Sequence, residues 1–161
     1  MKDAVVTLRE YQPEDFERLW QLDQECFRPG IAYSRRELSY YISRPRALTI
    51  VAQRQDNSVC GFAVAESRRV SQNKATDSQI AGHIITIDVL AGERRSGVGS
   101  MLMNAIEARL RPAQCDYMYL EVAVDNLAAI SFYKRHGYSV LKTLPRYYDG
   151  NLDGLRMGKK L

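Results

Sequence analysis

The sequence has few cysteines and no long apolar run, and each of these features excludes some classes of protein. Its three cysteines, Cys26, Cys60 and Cys115, show no CxxC spacing, so neither a disulfide framework nor a structural zinc site is indicated. We therefore expect reduced, mostly buried thiols and no metal. The longest apolar stretch, around residues 47–52, is far shorter than the roughly 18 residues that a membrane span needs. We accordingly expect no membrane partner.

The amino-terminal residues and the distribution of charge argue against a secreted protein and a nucleic-acid-binding protein. Residues 1–6 lack the succession of basic, apolar and small residues that marks a signal peptide, which favours a cytoplasmic protein. The formal net charge is +4, but the positive residues lie in short pairs, such as Arg68-Arg69 and Arg94-Arg95, and not in one basic run. We therefore expect no nucleic-acid partner, whereas a compact anionic ligand is consistent with these pairs.

Length and local pattern predict one α/β domain. The 161 residues, of which 45% are hydrophobic, suit a single domain, and no repeat or linker divides them. Periodicity and capping signals predict the order β-α-α-β-β-β-α-β-α-β-β, which indicates a mixed sheet with helices on both faces and a central cleft. The predicted strands are residues 5–8, 47–53, 59–66, 80–90, 117–124 and 138–144 with one more near the end, the helices begin near Pro13, Ser34, Gly99 and Leu127, and residues 71–79 form a surface loop.

A glycine-containing turn at residues 94–100 is predicted where a strand ends and a helix begins. Glycines there let the backbone approach a ligand and leave the first helical amides pointing outward at the positive end of the helix dipole. With Arg94 and Arg95 beside them, these amides suit a pyrophosphate, although a plain turn with two solvated arginines gives the same pattern. No Gly-Lys-Ser/Thr follows and the GxGxxG spacing is missing, which excludes the ATP-binding P-loop and the dinucleotide fingerprint.

Two blocks of the sequence resemble motifs of the GCN5-related N-acetyltransferase (GNAT) superfamily. Residues 84–89, followed by Arg94-x-x-Gly97-x-Gly99, are similar to motif A, whose loop holds the pyrophosphate of acetyl-CoA. Residues 120–122 and 126–138 are similar to motif B. The resemblance spans about residues 80–138. It implies a GNAT fold, with a mixed sheet of about six to seven strands whose central strands splay apart at the acetyl-CoA cleft.

The resemblance also implies which residues bind acetyl-CoA. In this superfamily the pantetheine arm lies between the splayed strands and bonds to backbone amides, while the loop wraps the pyrophosphate. Carried over by position, the cofactor-binding residues are Ile87, Val89, Arg94, Arg95, Ser96, Gly97, Val98, Gly99, Ser100, Asn126 and Tyr133.

Acetyl transfer needs a neutral amine, an acceptor for its proton and a proton donor for the departing thiolate. Similarity to bacterial ribosomal-protein-alanine acetyltransferases of the RimI type places a catalytic glutamate at Glu121 and a catalytic tyrosine at Tyr133. We expect Glu121 to lie on the face of its strand opposite the apolar one, where burial would raise its pKa toward the working pH. The structural alternatives are a solvated glutamate and a core tyrosine.

His83 is a third catalytic candidate, because a histidine titrates near neutral pH and could act as a base through water. Its position carries a tyrosine in some eukaryotic protein N-terminal acetyltransferases. We assign His83 the same strand parity as Ile85, Ile87 and Val89. A hydrogen-bonded structural histidine is nevertheless the favoured interpretation.

The expected acceptor is a protein N-terminus. An α-amino group has a pKa of roughly 8 and lysine roughly 10.4, so at neutral pH lysine costs about 3 kcal/mol more to deprotonate. Residues 145–150 resemble the hairpin of protein N-terminal acetyltransferases, whose tyrosines line the peptide groove, which assigns Tyr147 and Tyr148 to substrate binding. Tyr33, in the segment between the first two helices, would form the other wall, although a plain connector also fits that segment.

The predicted function is therefore direct transfer of an acetyl group from acetyl-CoA to the α-amino group of a peptide or protein in a ternary complex. A ribosomal protein is one candidate acceptor, and we expect a monomer or weak homodimer. Two alternatives stay open. One is a GNAT enzyme that acetylates a lysine side chain or a small amine, and the other is a non-catalytic acyl-CoA-binding module.

Overall fold

The computed structural model describes residues 5–71 and 78–161, which contain seven strands and four α-helices. The strands are β1 (Val6–Glu10), β2 (Ala47–Arg54), β3 (Val59–Ser71), β4 (Ser78–Val89), β5 (Tyr117–Ala123), β6 (Ser139–Tyr148) and β7 (Leu152–Lys160). The helices are α1 (Phe16–Cys26), α2 (Arg35–Ile42), α3 (Val98–Leu110) and α4 (Leu127–Arg135). The strands form one sheet in the order β1-β2-β3-β4-β5-β7-β6, with a parallel contact between β4 and β5.

The predicted order of elements is confirmed, and the differences lie at element ends. A surface loop is predicted at residues 71–79, but Ser71 belongs to β3 and residues 78–79 belong to β4. The rest of that prediction, residues 72–77, lies outside the described residues. Residues 145–148 are the end of β6 and not part of the following turn, because β6 pairs with β7 as far as Tyr148 and Leu152.

Residues near each helix start determine where α1 and α2 begin. Ser34 caps α2, since its Oγ accepts the backbone N–H of Glu37 at 3.1 Å and the Glu37 carboxylate accepts the N–H of Ser34 at 2.8 Å. This reciprocal pair is the capping box that the sequence predicts. Before α1, Pro13–Asp15 form a short 3-10 turn, and the α-helix begins only at Phe16.

Helices cover both faces of the sheet, and the sheet separates two apolar cores. Helix α3 packs on one face, where its side chains meet those of β5 and neighbouring strands, including Leu102, Met103, Ile106, Met118 and Leu120. Helices α1 and α2 pack on the other face against β2 and β3, through Leu19, Leu22, Leu38, Val51, Phe62 and Val64. The predicted mixed sheet with helices on both faces is therefore confirmed.

A β-bulge in β4 changes the face that its residues present. The register between β3 and β4 shifts at Ile85, which has no residue of β3 directly opposite it. Ile87 and Val89 consequently pack with the α3 core, as Ile84 does, whereas Ile85 packs with the α1–α2 core. The predicted common parity of His83 with Ile87 and Val89 is wrong, because the inserted residue reverses the alternation of side chains.

The cysteines are free thiols, as the sequence predicts, with Cys60 and Cys115 buried and Cys26 partly exposed. Burial raises the pKa of Cys26 to about 11, so this thiol is protonated at neutral pH. Its Sγ lies 3.5 Å from the Val89 carbonyl oxygen. Within the described residues, no helix combines the length and the apolar character needed to cross a membrane.

A buried carboxyl pair joins α1 to β4. Asp23 and Asp88 are both fully buried, and their side chains hydrogen-bond each other. Asp23 also accepts the backbone N–H of Tyr33 at 2.7 Å, and the Thr86 hydroxyl donates to Asp88. Burial, reinforced at Asp88 by the charge of Asp23, raises the pKa of both carboxyls. The pair therefore holds a shared proton.

We predict that Asp88→Asn stabilises the fold at neutral pH. The pKa of the pair is higher in the folded protein than in the unfolded chain. The pair therefore contributes fully to the free energy of unfolding below the unfolded pKa of about 4, and this contribution falls as pH rises, by up to about 1.4 kcal/mol per pH unit. An asparagine keeps the contacts with Asp23 and Thr86 without this loss. Urea unfolding between pH 4 and 8 should show that the unfolding free energy of the variant exceeds that of the parent by an amount that grows as pH rises and reaches about 1 kcal/mol or more at pH 7.

Asp125→Asn is the control for this measurement, because the Asp125 side chain is 47% exposed. Its unfolding free energy should follow that of the parent across the same pH range. A difference between Asp88→Asn and the parent that does not change with pH would contradict the shared proton.

Candidate active site

Strands β4 and β5 are neighbours over only three residue pairs. Residues 81–83 pair in parallel with residues 117–119, and the two strands then separate. Over the described chain, β4 from Ile84 to Val89 pairs with β3 alone. The backbone of this stretch can therefore bond a ligand that lies in the cleft as an additional strand.

His83, Glu121 and Arg156 meet where the strands separate. His83 Nε2 lies 2.7 Å from Glu121 Oε2, and Arg156 Nη2 donates to Glu121 Oε1 at 3.0 Å. The His83 ring stacks on Tyr119 with centroids 4.4 Å apart. The register of β5 and β7 brings Arg156 to Glu121, since the two residues are paired. Two predicted catalytic residues, His83 and Glu121, are thus in contact, and Arg156 also binds Glu121.

Glu121 occupies the predicted face of β5, but its pKa is lowered and not raised. Burial alone would raise this pKa. The hydrogen bond and charge from His83, followed by those from Arg156, outweigh burial because they stabilise the carboxylate. The predicted rise is therefore wrong, and Glu121 is ionised at neutral pH.

The same contacts fix the tautomer of His83. An ionised Glu121 can only accept hydrogen bonds, so a neutral His83 carries its proton on Nε2. His83 Nδ1 is buried and has no hydrogen-bond partner among the residues that the structure describes. This nitrogen lies at the point where the strands separate.

Tyr133 lies on the inward side of α4. Its ring contacts Phe132 and Tyr138, with centroid distances of 5.4 and 6.1 Å. Burial, with a smaller contribution from the charge of Asp88, raises the pKa of Tyr133, so the phenol is protonated at neutral pH. Within the described residues, Tyr133 makes no hydrogen bond to Glu121. Both side chains are nevertheless close enough to Tyr148 to raise its pKa, after burial and the neighbouring Tyr147.

The glycine turn begins α3 as predicted. Gly97 is the N-cap of α3, and its φ of +90° is a left-handed conformation that favours glycine. A Cβ added at Gly97 would meet no atom within 4 Å, whereas one at Gly99 would lie 3.2 Å from the Phe132 ring. Gly97 therefore faces open space in front of the first amides of the helix, with Arg95 exposed beside it. This geometry fits a phosphate group.

Other predicted cofactor residues have partners within the chain. Arg94 Nε donates to the Val89 carbonyl at 3.1 Å, and Ser100 Oγ lies 2.9 Å from His136 Nε2. Asn126 caps α4, with its Oδ1 accepting an N–H of the first turn at 3.2 Å. This hydrogen bond engages the side-chain oxygen of Asn126 and thereby fixes the orientation of its NH₂ group.

The predicted acceptor tyrosines border the cleft from two sides. The Tyr33 hydroxyl donates to the Ile85 carbonyl at 3.3 Å, which anchors the segment between α1 and α2 on the bulge. At the end of β6, Tyr147 and Tyr148 stack edge to face with centroids 4.9 Å apart. The charge of Glu121 contributes to raising the pKa of Tyr147, after burial. Tyr147 and Tyr148 thus stand near the Glu121 carboxylate, and Tyr33 lies close to both of these tyrosines.

Sequence reasoning missed Arg156 and a second group of charges. Glu66 on β3 pairs with His83 in the sheet register, and its side chain is only 4% exposed. Glu66 forms ion pairs with Arg44 at 2.7 Å and with Arg68 at 3.7 Å. The available signal was the spacing of Glu66 and Arg68, which places both side chains on one face of β3. Arg44 comes from outside this strand and gave no such signal.

Comparisons with known proteins show which family the chain resembles and which solved structures share its fold. The model of the acetyltransferase (GNAT) family matches residues 16–138. An N-alpha-acetyltransferase of Sulfolobus acidocaldarius is 40% identical over 81 residues, which are 50% of this chain and 48% of that protein. The chain spans about half the length of the curated relatives it matches.

Two solved structures share the fold. Arabidopsis thaliana NAA60 in complex with a bisubstrate analogue has a TM-score of 0.85 at 20% identity, covering 98% of this chain and 99% of that one. The ribosomal-protein-S18-alanine N-acetyltransferase of Escherichia coli has a TM-score of 0.79 at 19% identity, covering 97% of this chain and 94% of that one.

We predict that His83→Phe raises the pKa of Glu121. The phenyl ring keeps the stacking on Tyr119 and the burial of the carboxylate, but it removes the hydrogen bond that lowers the pKa. A pH titration of carboxyl carbon chemical shifts would report the change. Arg109→Gln, on the exposed side of α3 and paired with Glu10, serves as the control. A Glu121 titration that is the same in His83→Phe and the parent would count against this account.

Proposed function

Because the chain belongs to the acetyltransferase (GNAT) family, we propose that it transfers an acetyl group from acetyl-CoA to the α-amino group of a peptide or protein N-terminus. The observation that carries this proposal is the contact between His83 and Glu121 at the point where β4 and β5 separate. The relative from Sulfolobus acidocaldarius, an N-alpha-acetyltransferase, supports the choice of acceptor. The resemblance found in the two sequence motifs is confirmed at the level of the family.

The open edge of β4 and the turn at Gly97 suit acetyl-CoA. Residues 84–89 offer backbone groups to the amides of a pantetheine arm, with Ile87 and Val89 as the predicted contacts. The first amides of α3, with Arg95, offer donors and positive charge to a pyrophosphate. When bound there, acetyl-CoA supplies the activated acetyl thioester.

His83 acts as the general base in this proposal, and Glu121 positions it. An ionised carboxylate with a lowered pKa and two partners is a weak base, whereas the neutral form of His83 carries a lone pair on Nδ1, which has no partner among the described residues. Nδ1 takes a proton from the amine as the amine nitrogen bonds to the acetyl carbon. Glu121 stabilises the resulting imidazolium through Nε2. Arg156 holds the other carboxylate oxygen and keeps Glu121 aimed at His83.

Tyr133 stabilises the departing sulfur. As the bond between the acetyl carbon and sulfur breaks, the sulfur takes the electron pair and becomes a thiolate. A thiol has a pKa of roughly 8.5, so complete proton transfer from a phenol of raised pKa would be uphill. A hydrogen bond from the Tyr133 hydroxyl to the thiolate is the contribution that its protonation state allows. Solvent then supplies the proton that completes the thiol.

The expected acceptor preference distinguishes this proposal from acetylation of a lysine or a small amine. We predict that peptides with a free N-terminus and no lysine release thiol from acetyl-CoA, because an α-amino group with a pKa of roughly 8 is easier to deprotonate at neutral pH than a lysine with a pKa of roughly 10.4. A panel that varies the first two residues, including the N-terminus of a ribosomal protein, would define the acceptor. Turnover restricted to N-terminally blocked, lysine-containing peptides or to polyamines would refute an α-amino acceptor.

We also predict that Glu121→Gln lowers kcat about a hundredfold, because it impairs general-base catalysis by His83, which usually contributes at least that much, and that it changes the KM for acetyl-CoA less than about threefold. Glutamine fills the same space but cannot stabilise the imidazolium. Steady-state kinetics with a turned-over peptide would measure both constants, and Glu17→Gln on the exposed face of α1 is the matched control. Equal activity of Glu121→Gln and the parent would favour the non-catalytic acyl-CoA-binding alternative.

A further inference from the structure

We propose that His136 orients the Ser100 hydroxyl toward the pyrophosphate of acetyl-CoA and gains a proton when the cofactor binds. The inference rests on the proposed function, since it concerns the turn at the start of α3 that this function assigns to the pyrophosphate. It adds a residue from outside that turn, because His136 lies 36 positions after Ser100, at the end of α4.

The His136 ring is held beside the first turn of α3. His136 is the C-cap of α4, and its backbone N–H donates to the carbonyls of Phe132 and Tyr133 at 3.2 and 3.0 Å. Its ring lies against the Phe132 ring, with centroids 4.6 Å apart. The same Phe132 ring lies so close to Gly99 that a Cβ added there would meet it at 3.2 Å. The two rings therefore form one side of the turn that begins α3.

Ser100 connects this ring to the free amides of the helix. The Met101 N–H donates to the Gly97 carbonyl at 2.9 Å, so the N–H groups of residues 98–100 precede the first hydrogen bond of α3 and have no carbonyl partner within the helix. Ser100 Oγ lies 2.9 Å from His136 Nε2, and both residues are partly exposed. A phosphate bound at these amides can therefore also reach the Ser100 hydroxyl.

The protonation state of His136 decides which way the Ser100 hydroxyl can point. A neutral imidazole either accepts the hydroxyl hydrogen at Nε2 or donates Nε2–H to the hydroxyl oxygen, whereas an imidazolium can only donate. When His136 is protonated, Nε2–H donates to Ser100 Oγ, and the hydroxyl hydrogen is released to bond an anion. The negative charge of a pyrophosphate in turn favours the imidazolium. Cofactor binding and protonation therefore favour each other, and solvent supplies the proton.

Charged groups from three elements surround His136, namely Glu107 of α3, Lys159 of β7 and Arg135 of α4. Burial lowers the pKa of His136, the Glu107 carboxylate raises it, and Lys159 and Arg135 lower it, so that the net change is downward. Lys159 and the Tyr138 hydroxyl both donate to Glu107, at 3.0 and 3.1 Å. Before the cofactor binds, His136 is therefore neutral at neutral pH and has a proton to gain.

The test is isothermal titration calorimetry of the protein with acetyl-CoA, which measures binding and proton uptake without turnover. Titrations at about pH 6.5 in two buffers of different ionisation enthalpy give the number of protons taken up per cofactor bound. The parent should take up about 0.3 proton or more beyond the number for His136→Gln. The 3′-phosphate of CoA also titrates, with a pKa of about 6, but it contributes to both proteins and cancels in the difference.

The affinity should show the same linkage. Because the complex holds the proton more tightly than the free protein does, the parent should bind acetyl-CoA more tightly as pH falls. A rise of half a unit in the pKa of His136 on binding corresponds to about a threefold gain in affinity. The ratio of the parent's affinity to that of His136→Gln should therefore be at least about threefold larger at pH 6 than at pH 8.

Variants assign the effect to the contact between His136 and Ser100. The glutamine of His136→Gln can still donate an N–H to Ser100 Oγ, so at pH 8 this variant should bind acetyl-CoA within about twofold of the parent. His136→Phe has no donor and should bind about threefold more weakly, or worse. Ser100→Ala should lose the extra proton uptake, because it lacks the hydroxyl that joins the ring to the phosphate. Arg109→Gln, in the last turn of α3 and paired with Glu10, should match the parent in affinity and proton uptake.

The outcomes separate this inference from the proposed function. If the parent and His136→Gln bind acetyl-CoA with the same proton uptake, protonation of His136 is wrong and the function stands. Proton uptake by Ser100→Ala that equals the parent's, or an affinity of His136→Phe that equals the parent's, overturns the positioning of the hydroxyl. If the parent does not bind acetyl-CoA, the proposed function fails and this inference fails with it.

Discussion

The early loss of pairing between β4 and β5 is the constraint on which the site depends. Unpaired backbone inside a sheet is costly unless a ligand or water satisfies it, and here the separation begins immediately after His83. The bulge at Ile85 follows two residues later. Ile87 and Val89 therefore turn toward the α3 side, while His83 turns toward α1 and α2. A single strand in this way presents its side chains to opposite faces of the sheet before and after the bulge.

The charges around His83 follow from burial. A carboxylate removed from water needs compensating cations, since a lone buried charge costs several kcal/mol. Glu121 has His83 and Arg156, and Glu66 has Arg44 and Arg68. The groups that set the protonation state of the site are thus the same groups that allow its carboxylates to be buried.

Local sequence signals predicted much of the fold, and long-range pairing accounts for what they missed. The capping box at Ser34, the glycine at the start of α3 and the inward face of β5 depend on residues near each other in the chain. The bulge at Ile85 is a property of the ladder between two strands, and no local pattern reveals it. Arg156 reaches Glu121 through the register of β5 and β7. His83 likewise reaches Glu121 only because β4 and β5 are neighbours in the sheet. The lowered pKa of Glu121, which depends on His83 first and on Arg156 second, could not be predicted from local pattern.

Strand β7 lies between β5 and β6, although it follows both in the chain. As the polypeptide is synthesised, residues 117–148 leave the ribosome before the strand that joins them exists. The carboxylate of Glu121 therefore has no arginine partner until residue 156 has been made and inserted. The contact between these two side chains therefore forms only after β7 has been synthesised.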